Sequence, residues 1–191
     1  MALRSPELKP LERRRFVPRE ALAEAFAGAV PLQPRRFAWI LSASWIRIRR
    51  PVAESAESRG LVDTSALVAL DQIDASLLPA QVAISAISLA ELAAGLHASA
   101  DSLERARRLQ RLQLSEASFD AMPFDGACAR AYGRLYAQLL SAGRKARGRR
   151  ALDLLIAATA AAAGLPLCTA NPADFAGLGK AVKVTSVGAR P

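Results

Sequence analysis

At 191 residues, with 52% hydrophobic and 23% charged residues, the chain is globular and long enough for one domain plus an extension. Its longest apolar stretches, 154–163 and 37–46, fall short of the roughly 18 residues a membrane span needs, and one histidine and two cysteines are too few for zinc chemistry. The net charge of +9 is uneven, since residues 1–59 carry 12 Lys+Arg against 6 Asp+Glu and residues 60–191 carry 14 against 11, so basicity alone argues little for nucleic-acid binding by the folded part.

The first 59 residues hold six of the eleven prolines, both tryptophans and the cluster Arg13-Arg14-Arg15, without a sustained period. Only 19–30 reads as a short helix. The apolar run 37–46 starts too far into the chain for a signal segment, and no small-residue cleavage site follows before Pro51. This leader is expected to be a disordered arm or a mis-assigned start, with translation beginning near Val52.

From Gly60 the pattern changes to short apolar runs alternating with longer helical stretches, which predicts a mainly parallel sheet with crossover helices. In chain order we expect a strand at 60–63, a helix at 65–70, a strand at 82–85, helices at 89–98 and 102–114, and a strand at 119–123. Helices at 126–142 and 151–163 follow, then strands at 165–169 and 182–186. Cys128 and Cys168 lack CxxC spacing and read as small buried residues in a reducing cytoplasm. His97 follows the apolar helical positions Leu89, Leu92 and Leu96 and reads as structural.

Four acids stand where strands hand over to helices. Asp63 ends the run Gly60-Leu-Val-Asp, at the carboxyl edge of the sheet where open α/β folds place ligands, although it could also cap the next helix. Glu91 lies three residues after Ser88, the spacing of a capping box. Asp153 is the single charge in Ala151-Leu-Asp-Leu-Leu-Ile-Ala-Ala-Thr-Ala, a helix apolar all round and therefore buried, so its carboxylate needs a partner. Asp174 takes the third helical position after Asn171 and Pro172. Two carboxylates about 5 Å apart at an effective dielectric of about 20 repel by roughly 3 kcal/mol, so convergence of these acids implies a divalent cation. Gly143 to Gly148 is a basic loop with Arg144, Lys145 and Arg147, followed by Arg149 and Arg150; these five are the candidate phosphate contacts.

Leu61-Val-Asp-Thr-Ser-Ala-Leu, Ser88-Leu-Ala-Glu-Leu, Leu152-Asp-Leu-Leu-Ile-Ala-Ala-Thr-Ala and Thr169-Ala-Asn-Pro-Ala-Asp-Phe occur in the order seen in PIN-domain ribonucleases. The resemblance covers about residues 60–187 and is closest to VapC-type toxins of bacterial toxin-antitoxin pairs. It implies a three-layer PIN-like α/β fold and a metal-dependent endoribonuclease with Asp63, Glu91, Asp153 and Asp174 as its acidic site. Asp63 and Asp153 would ligate Mg²⁺ or Mn²⁺, the hard cations that oxygen ligands favour, for water attack on a phosphodiester. Thr64 or Thr169 would position water or carboxylates. The resemblance further implies a homodimer and a cognate antitoxin, with RNA as substrate and no membrane. Ala170 replaces a basic residue often found in this family, and the long leader is atypical of it.

The competing reading from another class is a non-catalytic PIN-like module that binds RNA or protein. A phosphoacceptor fold is disfavoured because Thr64 and Ser65, not a second acid, follow Asp63, and Gly177-Leu-Gly-Lys180 satisfies neither nucleotide-loop spacing.

Overall fold

The computed structural model describes residues 15–27, 59–144, 146–178 and 181–188. Within them the chain runs β1 (Val17–Pro18), α1 (Arg19–Ala27), β2 (Arg59–Val62), α2 (Thr64–Val68), β3 (Gln81–Ala83), α3 (Ala86–Gly95) and α4 (Ser102–Ser118). It continues through α5 (Gly126–Ser141), α6 (Arg149–Ala163), β4 (Leu167–Thr169) and β5 (Val184–Ser186). Single 3₁₀ turns lie at Ala75–Leu77, Leu96–Ala98 and Pro172–Phe175.

The sheet order is β1-β3-β2-β4-β5. All pairs are parallel except the edge pair, where Val17 faces Val82 and Pro18 faces Gln81 in antiparallel register. The side-chain period of two sorts neighbours onto opposite faces. Leu61 and Leu167, which face each other across β2 and β4, join the core beneath α5 and α6 with Leu135, Leu139 and Ile156. Their successors Val62 and Cys168 join the other core, with Leu67, Leu92 and Leu112 from α2, α3 and α4. Two cores, one on each face, are the three layers expected for this α/β class.

Local chemistry explains the boundaries. Asp101 caps α4 by accepting from Leu103 N at 3.0 Å, and Asp125 caps α5 by accepting from Ala127 N at 2.9 Å and Cys128 N at 3.0 Å. Along α5, Ala131, Leu135 and Leu139 recur every four residues and are buried as one stripe. Gly60 is required in β2, because a Cβ there would lie 2.7 Å from Pro79 Cγ and 3.2 Å from Cys168 Sγ. Cys128 and Cys168 are buried free thiols, as expected, and His97 is exposed in its 3₁₀ turn.

Three expectations are corrected. The strand at 119–123 shrinks to a single bridge, with Met122 donating to Ile84 O and accepting from Ala86 N, both at 2.8 Å. Pro123 has no N–H with which to extend the ladder. The capping box at Ser88 and Glu91 is replaced by a cap one turn earlier, where Ser85 Oγ accepts from Ser88 N at 3.0 Å. Glu91 is thereby moved into the body of α3.

Within the leader, residues 15–27 are built into the fold rather than disordered. Arg19 N donates to Ala80 O at 3.1 Å and Arg19 Nη1 to Leu78 O at 2.8 Å. Leu22 is 1% exposed in the core shared with α2 and α4, and Arg59 sits 5.1 Å over the Phe16 ring. The apolar run 37–46 lies outside the described residues.

Candidate active site

Parallel strands β2 and β4 end side by side, so the residues that follow them share one edge of the sheet. Asp63 directly follows β2 and is 3% exposed. Its Oδ1 caps α2 by accepting from Ala66 N at 2.8 Å, and its Oδ2 accepts from Thr169 Oγ1 at 2.7 Å, from the last residue of β4. Ser65 Oγ lies 2.9 Å from both oxygens of Asp63 and accepts from Ala170 N at 3.2 Å. Thr169 Oγ1 in turn accepts from Asn171 N at 2.9 Å. The cap and the site are therefore one geometry, since the carboxylate that starts α2 is also the one locked to the neighbouring strand. Burial raises the Asp63 pKa above its ordinary value; the bonds from Ala66, Thr169 and Ser65 oppose this, and the charge of Asp174 adds to it.

Asp153 lies one turn into α6 and is 8% exposed. Its pKa is pushed up to about 6, first by burial, then by the charges of Asp174 and Glu91, with Arg149 opposing and Asp63 adding a smaller push. The charges of Asp174, Glu91 and Asp63 thus all bear on Asp153, and that of Asp174 bears on Asp63 as well. Glu91 and Asp174 are half-buried, and each is held by a neighbour. Thr64 Oγ1 donates to Glu91 Oε2, and Asn171 Nδ2 donates to Asp174 Oδ2 at 2.8 Å.

Among the described residues, no three acidic, histidine or cysteine side chains close around one point as a ready ligand shell. The donor set nonetheless fits a hard divalent cation. It consists of carboxylate and hydroxyl oxygens, and the carboxylates raise the Asp153 pKa against one another in a way that a cation between them relieves.

Of the supporting residues, Thr169 contacts Asp63 and Thr64 contacts Glu91. Ser65, not singled out from sequence, is as closely engaged as either; its signal was the hydroxyl two residues after the acid. The basic candidates separate. Arg144 Nη1 is committed to Ala176 O at 2.8 Å, while Arg149 reaches a groove of about 360 Å³ beside Glu91. Arg147 is exposed, Arg150 half-buried, and Lys145 lies outside the described residues. The same groove is also lined by Arg108 and Arg111, which the charge pattern of the chain did not single out.

A family model described as PIN domain matches residues 60–180. The chain belongs to the PIN-domain family. This PIN domain is similar to ribonuclease VapC5 of Mycobacterium tuberculosis, with 40% identity over 128 residues, covering 65% of this chain and 91% of the relative. It is 38% identical over 102 residues to ribonuclease VapC8 of the same organism, covering 53% of this chain and 89% of that protein. Among solved structures, the toxin-antitoxin system VapBC-5 from M. tuberculosis matches with a TM-score of 0.60 and 39% identity, over 69% of this chain and 98% of that one. FitAcB from Neisseria gonorrhoeae matches with a TM-score of 0.50 and 25% identity, over 65% of this chain and 95% of that one.

Proposed function

We propose that this PIN domain is a metal-dependent endoribonuclease, the toxin of a VapBC-type toxin-antitoxin pair, with Asp63, Glu91, Asp153 and Asp174 as its catalytic acids. The observation that carries the reading is the shared sheet edge, where Asp63 is bonded to Thr169 across two strands and Asp153 feels the charges of the other three acids. Support comes from the two relatives named as VapC ribonucleases and from the VapBC-5 structure, described as a toxin-antitoxin system.

Asp63 and Asp153 would hold Mg²⁺ or Mn²⁺, with Glu91 and Asp174 completing the oxygen set. A hard cation bound there supplies an acidified water and neutralises charge on the phosphodiester. The chain's own residues prepare the site for that role. Ser65 and Thr169 keep the Asp63 oxygens at fixed positions, Thr64 does the same for Glu91, and Asn171 for Asp174. A cation held there would relieve the carboxylate repulsion that, after burial, pushes the Asp153 pKa up to about 6.

The partners of this reading are an RNA substrate, a second copy of the chain in a homodimer, and a cognate antitoxin protein, in the cytoplasm. No helix among the described residues is long and apolar enough to cross a membrane. The test is cleavage of structured RNA with Mg²⁺ or Mn²⁺, alongside Asp63→Asn and Asp153→Asn. Activity that persists in chelator and in Asp63→Asn overturns the proposal. RNA binding without cleavage by the unaltered chain would favour the non-catalytic module.

A further inference from the structure

A groove of about 360 Å³ is lined by Thr64, Glu91 and Glu104 together with Arg108, Arg111 and Arg149. The arginines come from two elements, α4 and the first turn of α6. Arg108 and Arg111 are three residues apart on α4, so both project from one helix face. Arg108 is also held in place. Arg108 Nε donates to Glu104 Oε1 at 2.8 Å and its Nη1 to Gly95 O at 2.7 Å, while Arg111 Nη2 pairs with Asp71 Oδ1 at 3.6 Å.

Each guanidinium carries five N–H donors, so these bonds orient the group and still leave donors over. Among the described residues no partner engages Arg108 Nη2. Arg149 is exposed and close enough to Asp153 to lower its pKa, so this cation ties the groove to the acids.

We infer that Arg108, Arg111 and Arg149 form a phosphate-holding wall for the single-stranded RNA backbone next to the scissile bond, and that this wall supplies counter-charge the acidic site needs. The inference rests on the nuclease reading and specifies which surface holds its substrate. Oriented guanidinium forks match the paired non-bridging oxygens of a phosphodiester. A strand seated in the groove passes Thr64 and Glu91, whose charge acts on Asp153.

The experiment measures affinity for a short fluorescent single-stranded RNA in EDTA across a salt series, so that binding is read apart from cleavage. Each lost phosphate contact should flatten the slope of log affinity against log salt by about 0.7, and the triple variant Arg108→Gln, Arg111→Gln, Arg149→Gln by about 2. Arg105→Gln removes the same charge from the same helix outside the groove and should change the slope less. Asp71→Asn releases Arg111 without removing a cation and should steepen the slope, which keeps the test open if the glutamine variants fail to fold.

An unchanged slope in the triple variant or in Asp71→Asn overturns the wall, as does an equal loss in Arg105→Gln, which would signify diffuse attraction. Loss of binding to an acidic partner protein with RNA affinity intact would assign the arginines to that protein instead. Cleavage by the unaltered chain with flat slopes sinks the wall alone. Arginine-dependent binding with no cleavage in Mg²⁺ or Mn²⁺ sinks the nuclease reading and leaves the wall standing.

Discussion

Thr169 Oγ1 donates to Asp63 Oδ2 at 2.7 Å, joining two side chains 106 positions apart through neighbouring parallel strands. The bond is buried, with Thr169 fully inaccessible, so its loss cannot be made good by water. Thr169→Val keeps the shape and removes the donor. Hydrogen bonds to charged groups contribute about 1.5–3 kcal/mol, so RNA cleavage should fall roughly 10- to 100-fold. KM should change little, and the acid limb of the pH profile should move upward, because Asp63 loses one of the bonds that lower its pKa. Kinetics across pH check this, and an unshifted profile at full activity removes Thr169 from the site.

Asp153 makes the metal-free protein less stable as pH rises. Its folded pKa of about 6 lies above the ordinary 3.8, so between those values the folded chain binds more protons than the unfolded one. That contribution to stability is present below about 3.8 and is lost as pH rises to about 6. Asp153→Asn should therefore unfold at higher denaturant than the unaltered chain at neutral pH, with the gap closing toward acid pH. A gap independent of pH, or reversed in sign, would contradict the electrostatic account.

Cation binding should act in the opposite direction. Mg²⁺ or Mn²⁺ at about 100 times its dissociation constant stabilises a folded protein by about 2.7 kcal/mol, and the unaltered chain should show a corresponding rise in melting temperature. Asp63→Asn and Asp153→Asn should lose most of that rise. Calorimetry with and without chelator checks it, and an equal rise in all three proteins would place the ion elsewhere.

Leu22 tests whether the segment at 15–27 belongs to the fold. A buried leucine truncated to alanine costs about 2–5 kcal/mol, and Leu22 is 1% exposed against α2 and α4. Leu22→Ala should lower the unfolding free energy by that order, measured by urea titration. A change below about 0.5 kcal/mol, the scale of a surface substitution, would show that the segment does not pack there in solution.

Much of this architecture is written locally. Strand period and helix period differ, so the βα alternation from Gly60 onward was readable, as were helices such as α5, whose apolar stripe and capping Asp125 are neighbours in the chain. Asp153 announced itself because a lone carboxylate in an all-apolar helix must meet something. Local logic failed where a nearer competitor took over a role. Ser85 displaced Ser88 as the cap of α3, and Pro123 ended the pairing around Met122. The helix around Leu22 was legible, but its place in the fold was not, because two strand residues and nine helical ones carry too little periodicity to reveal what they pack on.

Residue type and order alone singled out the four acids and the family they resemble. The tertiary structure decided which partners those acids have. Only strand adjacency brings Thr169 to Asp63, and only the packing of α4 against α3 brings Arg108 and Arg111 into the groove that Glu91 lines. Backbone periodicity reports which face of an element is buried, whereas a hydrogen bond or a charged wall depends on where separate elements meet, and that distance in space has no counterpart in local sequence.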